Sequence, residues 1–287
     1  MATPLTTVHI NHQWTSIDKA KVSILDRGFL FGDAVYESIS FYQGQPFLAN
    51  EHLDRLDNSL EQIKLPNPLT RKEWLTLLDK TLEVNHISKE DGYYYIQVTR
   101  GCDETRLHAW KNNAPTFLMM SFLKPMPATL LNINTISQPD LRWGRCDIKS
   151  TSLLANILAN NAAHENNASE CLFFQDNLLT EGSSSNIFII KNEIVYTPQS
   201  TQNILLGITR EYIFNICQKL NIKHQEKTMT KEDVLNADEV FISSTTRIIQ
   251  SVSKLDEHHF PNNTPLTKKL FDQFTHQILN PFVIPSS

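Results

Sequence analysis

Glycine is the residue this chain has least of relative to expectation: 8 of 287 positions, under 3% against a typical usage of about 7%. That scarcity excludes collagen-like sequence, glycine-rich linkers and low-complexity disorder. A predominance of one charge sign is missing too. The 26 basic and 31 acidic residues leave a formal charge of −5, the isoelectric point is near 6.1, and no Lys/Arg-rich block occurs. Nothing here makes an electrostatic footprint for nucleic acid, so no such partner is expected. No apolar run approaches the roughly 18–20 residues of a membrane span, so no membrane partner is expected. The opening MATPLTTVHI has neither a basic stretch nor an apolar one, so a secretory leader is not expected and a cytoplasmic location is. Cys102, Cys146, Cys171 and Cys217 are too far apart for a Cys-x-x-Cys pair; free thiols are expected, and no metal site. What remains is an ordinary globular balance, 40% hydrophobic and 20% charged, of a length suited to one or two domains.

Strand and helix signals alternate along the chain. Residues 34–41 (AVYESISF) read as a strand, Gly44 marks a turn, and PFLA resumes the strand. Asn50 is a candidate N-cap for a helix to about Ile63, with Leu53, Leu56, Leu60 and Ile63 on one stripe. Thr70 and Glu73 form a capping box for a second helix near 71–84. YYYIQVTR (93–100) and TFLMMSFL (116–123) are strand-like. KPMPATL, residues 124–130, breaks both periodicities with two prolines and is the linker candidate. Beyond it, strands are predicted at 132–136, 170–174, 186–190, 194–197 and 239–243, and helices near 153–165, 208–220 and 266–278. The reading is a mixed α/β chain in two domains, 1–123 and 131–287.

Four segments carry more polarity or glycine than their surroundings. DRGFLFGDAVYE (26–37) places two glycines four residues apart ahead of a strand tyrosine; a plain turn into a strand has the same composition. RWGRCDIKS (142–150) sets Lys149 just before a helix, either as a solvated charge or as an amine nucleophile. TEGSSSNIFII (180–190) runs an acid, a glycine and three serines into an apolar strand, which suits either an anion or an ordinary turn. LLGITREYIFNICQKL (205–220) opens an amphipathic helix with Gly207 and Thr209, either a phosphate cup or simple capping by Thr209. FISSTTR (241–247) ends a strand in four hydroxyl residues. Together these supply an amine, a carboxylate and hydroxyl-rich anion cups, the set that pyridoxal phosphate requires. Gly28, Gly32, Gly101, Gly144, Gly182 and Gly207, six of the eight, lie in or beside the proposed site segments, which predicts backbone in close approach or at positive φ.

The order and spacing of DRGFLFGDAVYE, NEHLDRL, RCDIKS, TEGSSSNIF, GITR and ISSTT resemble those of the fold type IV pyridoxal-phosphate enzymes, the class IV aminotransferases, across nearly the whole chain. The resemblance implies the two-domain fold type IV architecture and a homodimer with its active site at the interface. It also implies the roles. Lys149 is the Schiff-base lysine; Glu181 pairs with the pyridine nitrogen; Arg55, which falls off the apolar stripe of its helix, binds phosphate. Ile208 and Thr209 form the phosphate cup at the helix entrance, Thr245 its second lobe, while Ser185 and Leu205 line the cofactor. The implied reaction is a two-stage transamination between an amino acid and a 2-oxo acid, with Lys149 moving the proton.

Within the family, the likeness is nearest to the bacterial D-amino-acid aminotransferases, because Tyr36 in AVYE and Arg106 and His108 in TRLH match their carboxylate trap. A guanidinium binds a carboxylate in bidentate fashion, and a phenol and an imidazole add donors. The segment RGCDETRLH is one residue longer than that pattern, and one extended residue spans about 3.3–3.6 Å. Branched-chain L-amino-acid aminotransferase and aminodeoxychorismate lyase are the alternatives: the first does not need the R-x-H pair, and the second tends to lack the tyrosine.

Overall fold

The computed structural model describes residues 2–111 and 113–279. Chain contacts divide it into two units. The first runs to Met126 and takes in Ile148–Ser152; the second comprises Pro127–Asp147 and the chain from Leu153 onward.

The first unit contains β1 (Thr3–Pro4), β2 (Thr7–Ile10), β3 (Gln13–Ser16), α1 (Arg27–Phe31), β4 (Ala34–Tyr42), β5 (Gln45–Pro46), α2 (Ala49–Gln62), α3 (Arg71–Val84), β6 (Gly92–Thr99) and β7 (Thr116–Leu123). Its sheet has the order β3-β2-β7-β6-β4-β5, with β1 also on β7. Alternation along β4 sends Val35, Ile39 and Phe41 into a core shared with Leu53, Leu56 and Leu60 of α2 and Trp74, Leu77 and Leu78 of α3. The stripe on α2 is therefore the one its spacing predicts. The capping box is present as well: Glu73 N–H donates to Thr70 Oγ1 (3.3 Å), and Thr70 N–H to the Glu73 carboxylate (2.7 Å).

Two local expectations are corrected. Asn50 is not the cap of α2; Leu48 is, at φ 54° and with no side-chain cap bond. PFLA does not resume the strand either. Strand β5 is two residues long, and the turn at Leu48 sends the chain into α2. DRGFLFG holds a short helix, α1, capped by Asp26 and ended by Gly32 at φ 66°.

The second unit contains β8 (Leu131–Pro139), α4 (Leu154–Glu165), β9 (Glu170–Gln175), β10 (Leu178–Gly182), β11 (Asn186–Lys191), β12 (Ile194–Thr197), α5 (Ile208–Lys219), β13 (His224–Glu226), α6 (Lys231–Leu235), β14 (Glu239–Ser244), β15 (Ile248–Leu255), β16 (His258–His259) and α7 (Pro265–Leu279). The sheet order is β10-β9-β8-β15-β14-β11-β12-β13, with β16 on β15. One face packs Ile133, Leu172, Ile187, Ile189, Val240 and Ile242 against α6. The other stacks Phe188 on Phe241, with ring centroids 4.6 Å apart, beneath Phe214 of α5. Asn186 pairs in register with Ser243, as Phe188 does with Phe241. Asn186 and Ser243 therefore share the face that α5 covers.

Candidate active site

Residues 148–152 return to the first unit and lie along β4. Tyr36 N–H donates to the Lys149 carbonyl (2.9 Å) and Thr151 N–H to that of Ala34 (3.1 Å), while Val35 bridges Ser150. Ile148 and Ser150 are buried on the core side. The alternation of an extended segment then directs Lys149 to the opposite face. There its Nζ stands 4.3 Å from the centroid of the Tyr36 ring, and Tyr36 in turn stacks on Tyr95 at 5.7 Å. Lys149 and Tyr36, predicted from separate segments, are thus neighbours.

Arg55 is no solvated helix arginine. Its Nε and Nη2 donate to the two oxygens of Glu37 at 2.7 and 2.9 Å, and Glu37 also meets His52 Nδ1 at 2.8 Å. Glu37 is fully buried on the core side of β4. Burial opposes its charge, but Arg55 and His52 outweigh burial and hold the carboxyl well below the usual range. Burial also lowers the pKa of His52 despite that carboxylate, which favours the neutral imidazole.

Arg106 and His108 lie on the exposed tip of the loop between β6 and β7 and flank one ring. The Arg106 guanidinium is 4.9 Å from the centroid of Phe31, and the His108 ring is 5.5 Å from it.

In the second unit, Glu181 is the penultimate residue of β10 and is buried. It accepts from Arg142 Nη1, from Leu205 N–H (3.2 Å) and from Asn186 Nδ2 (3.3 Å). Arg142 is itself held by Asp140, at 2.9 and 2.7 Å, and by the Asn203 carbonyl at 3.0 Å. Burial pushes the Glu181 carboxyl up to about 7, with Arg142 only partly opposing it. A buried carboxylate in that balance gains from one more cationic donor, which a pyridinium N–H supplies.

Helix α5 starts at Ile208, with Gly207 as N-cap and no side-chain cap bond, so Thr209 is not the cap. The amides of its first turn have no partner within the helix and carry the positive end of its dipole. A Cβ on Gly207 would lie 2.0 Å from Asn186 Oδ1, so glycine is what lets Asn186 reach the Leu205 carbonyl (2.9 Å) and Glu181 together. Ser243 Oγ, on the face α5 covers, is buried and has no hydrogen-bond partner among the described residues; a phosphate oxygen would give it one. These donors fit pyridoxal phosphate. Gly144 departs from the glycine expectation, since nothing lies within 4 Å of a Cβ built there.

The three serines do not present free hydroxyls. Ser183, Ser184 and Ser185 all donate to Glu170, the last two at 2.9 Å, and Arg247 donates to the same carboxylate at 3.1 Å. Arg247 and Thr245 belong to the turn after β14, which leads into Ile248 at φ 61°. That conformation is strained for a β-branched residue, and such strain gathers at functional sites.

Sequence reasoning missed Glu37, His52, Arg142, Asn186 and Glu170. The signal existed for two of them: Glu37 stands in the apolar phase of β4, and Glu170 opens the otherwise apolar ECLFF.

Residues 34–255 match the model of the amino-transferase class IV family. A D-alanine aminotransferase of Listeria monocytogenes serotype 4b is 38% identical over 279 residues, covering 95% of this chain and 96% of its own. Among solved structures, a putative 4-amino-4-deoxychorismate lyase of Legionella pneumophila superposes with a TM-score of 0.82 at 28% identity, over 90% of this chain and 96% of its own. The branched-chain amino acid aminotransferase of Escherichia coli does so with a TM-score of 0.86 at 21% identity, over 96% and 95%, a likeness of fold.

Proposed function

The chain belongs to the class IV aminotransferase family, and from that premise we propose that it transfers the amino group of a D-amino acid such as D-alanine to a 2-oxo acid such as 2-oxoglutarate, using pyridoxal phosphate. The observation that carries the chemistry is Lys149, held by its buried neighbours on the open face of the β4 edge against Tyr36. The substrate class is supported by the 38% identity to a D-alanine aminotransferase over nearly the full chain.

Lys149 would hold the cofactor through its aldehyde, and its amine, when free, would move the proton that leaves the substrate Cα. Bound there, the cofactor supplies a cationic ring as a sink for the electron pair left at Cα. Glu181, steadied by Arg142 and Asn186, would accept the ring N–H and keep that proton in place. Arg55, the first-turn amides of Ile208 and Thr209, Ser243 and Thr245 take the phosphate, while Leu205 and the Ser185 segment line the ring. Glu37 holds the Arg55 guanidinium in one orientation for that task. Tyr36, Arg106 and His108 bind the substrate carboxylate. The working unit is a homodimer with its active site at the subunit interface. A cytoplasmic location suits four free thiols, three of them buried; no helix among the described residues is long and apolar enough to cross a membrane.

Borohydride reduction of the yellow holoenzyme should fix the cofactor to Lys149, and recovery on another lysine would reject the assignment. In half-reactions followed by the cofactor spectrum, D-alanine should convert the holoenzyme and L-leucine should not. The reverse preference would favour a branched-chain enzyme.

A further inference from the structure

One buried guanidinium ties down the loop that carries Arg106 and His108. Arg27, in α1, is 3% exposed. Its Nε donates to Asp33 (2.9 Å), Nη1 to Asp103 (2.8 Å) and to the Leu107 carbonyl (2.7 Å), and Nη2 to the His108 carbonyl (2.9 Å). Burial opposes its charge, and the two carboxylates more than offset that. The far side of the loop is closed onto the same group, because Asn113 donates to Asp103 and to the Cys102 carbonyl. At the neck, Gly101 sits at φ 79° with the Ala114 carbonyl 2.1 Å from where a Cβ would be. Asp33 also takes Arg100 (2.8 Å), whose guanidinium lies 4.3 Å from the ring centroid of Trp110.

The geometry matters because of what those two carbonyls belong to. Leu107 and His108 lie at the loop tip with Arg106. The Arg106 and His108 side chains pack on the Phe31 ring, and Arg27 stacks on the same ring at 4.8 Å. Phe31 lies four residues after Arg27, one turn along α1, so both present the same side of that helix. Arg27 therefore fixes both the backbone from which the two side chains spring and the ring they lean on.

We propose that Arg27 is a positioning residue for substrate recognition: by holding the Leu107 and His108 carbonyls it sets Arg106 and His108 in the arrangement that binds the substrate carboxylate. This rests on the reading that Arg106 and His108 are the carboxylate trap. A lysine cannot substitute, since a single ammonium lacks the planar fork that reaches two carboxylates and two carbonyls at once.

The test compares holoenzymes carrying Arg27→Lys, Asp103→Ala and Arg106→Ala, each with D-alanine and with D-alaninamide, which keeps the amine and lacks the carboxylate charge. Arg106→Ala should raise KM for D-alanine about tenfold or more with kcat nearly kept, the signature of lost ground-state binding. Arg27→Lys should do the same, and Asp103→Ala should raise KM about threefold; both should move the constants for D-alaninamide less than about twofold. Added to Arg106→Ala with His108→Ala, Arg27→Lys should change KM by less than about twofold further, since it acts through those side chains. If Arg106→Ala raises KM while Arg27→Lys and Asp103→Ala do not, the role of Arg27 is overturned and the trap stands. Equal losses with the amide, or a fall in kcat alone, would overturn it as well. An unchanged KM in Arg106→Ala would remove the trap itself. Should Arg27→Lys fail to fold, Asp103→Ala carries the same comparison.

Discussion

Two buried carboxylates in this molecule stand in opposite electrostatic settings. Glu181 has more burial than compensation, and its carboxyl rises to about 7. Between the ordinary value of 4.5 and about 7, the folded state binds more protons than the unfolded one, so Glu181 makes stability fall as pH rises through that window. The loss amounts to about 2–3 kcal/mol. Glu181→Gln cannot titrate and should escape it. Urea midpoints of the cofactor-free proteins at pH 5 and pH 8 should show the wild type losing that much relative to the variant; a difference that is flat or rises with pH would contradict the account. Glu37 is the reverse case, with Arg55 and His52 outweighing its burial. Arg55→Met leaves a buried carboxylate short of its main partner and should cost about 3–5 kcal/mol, whereas adding Glu37→Gln should recover part of it. A strictly additive double variant would show that the two do not interact. Lys149 and Glu181 could be proposed from the sequence because each stands in a short motif of fixed order. Arg142 left no such trace, and although Glu37 and Glu170 stand out as charges in apolar strand stretches, their roles could not be read locally, because the partners of the three come from 39, 18 and 77 residues away in sequence and only the tertiary fold brings them near.

At the level of elements, the apolar stripe of α2 and the capping box of α3 could be read directly, since both are local patterns with a period or a spacing. The start of α2 could not, because a leucine at φ 54° leaves no trace in composition. The entrance of α5 is the informative case. Thr209 looked like the cap, yet Gly207 holds that position so that Asn186 can press against it. Gly207→Ala brings a methyl 2.0 Å from Asn186 Oδ1, and Asn186 must then leave the Leu205 carbonyl, Glu181 or both. Overpacking of this kind costs about 1–3 kcal/mol, and alanine is also the poorer cap. Thermal unfolding should register the loss. Pyridoxal phosphate affinity, titrated by absorbance, should fall with it, because the same shift disturbs Glu181, the carboxylate proposed to receive the ring nitrogen. Asn186→Ala in the Gly207→Ala background should relieve the clash and restore part of the stability; no recovery would place the strain elsewhere.

For the molecule as a whole, the alternation of strand and helix signals sufficed for an α/β class, but strand order did not follow from it. Strand β8 pairs in parallel with β15, Leu131 lying opposite Gln250, and no local pattern encodes a partner 119 residues away. The surface poses the last question. Leu154, Ile157 and Leu158 of α4 are 71%, 61% and 63% exposed, at the i, i+3, i+4 spacing that normally faces a core. The opposite side of α4 buries Ala159 and Ala163 against Cys171 and Phe173, so the helix is already seated and its outward stripe is surplus to the fold. A row of large apolar side chains open to water is the mark of an interface, and the homodimer proposed above would supply the partner. Ile157→Glu together with Leu158→Glu would place two carboxylates in that interface at little expense to the isolated chain, because neither side chain is buried in it. Light scattering coupled to size exclusion should find the wild type at about twice the chain mass of 32.9 kDa and the double variant shifted towards a single chain, with transaminase activity lost in proportion to the dimer and far-ultraviolet dichroism unchanged. A wild-type chain that runs as a monomer with full activity would remove the dimer from the proposal and leave the stripe on α4 without an occupant.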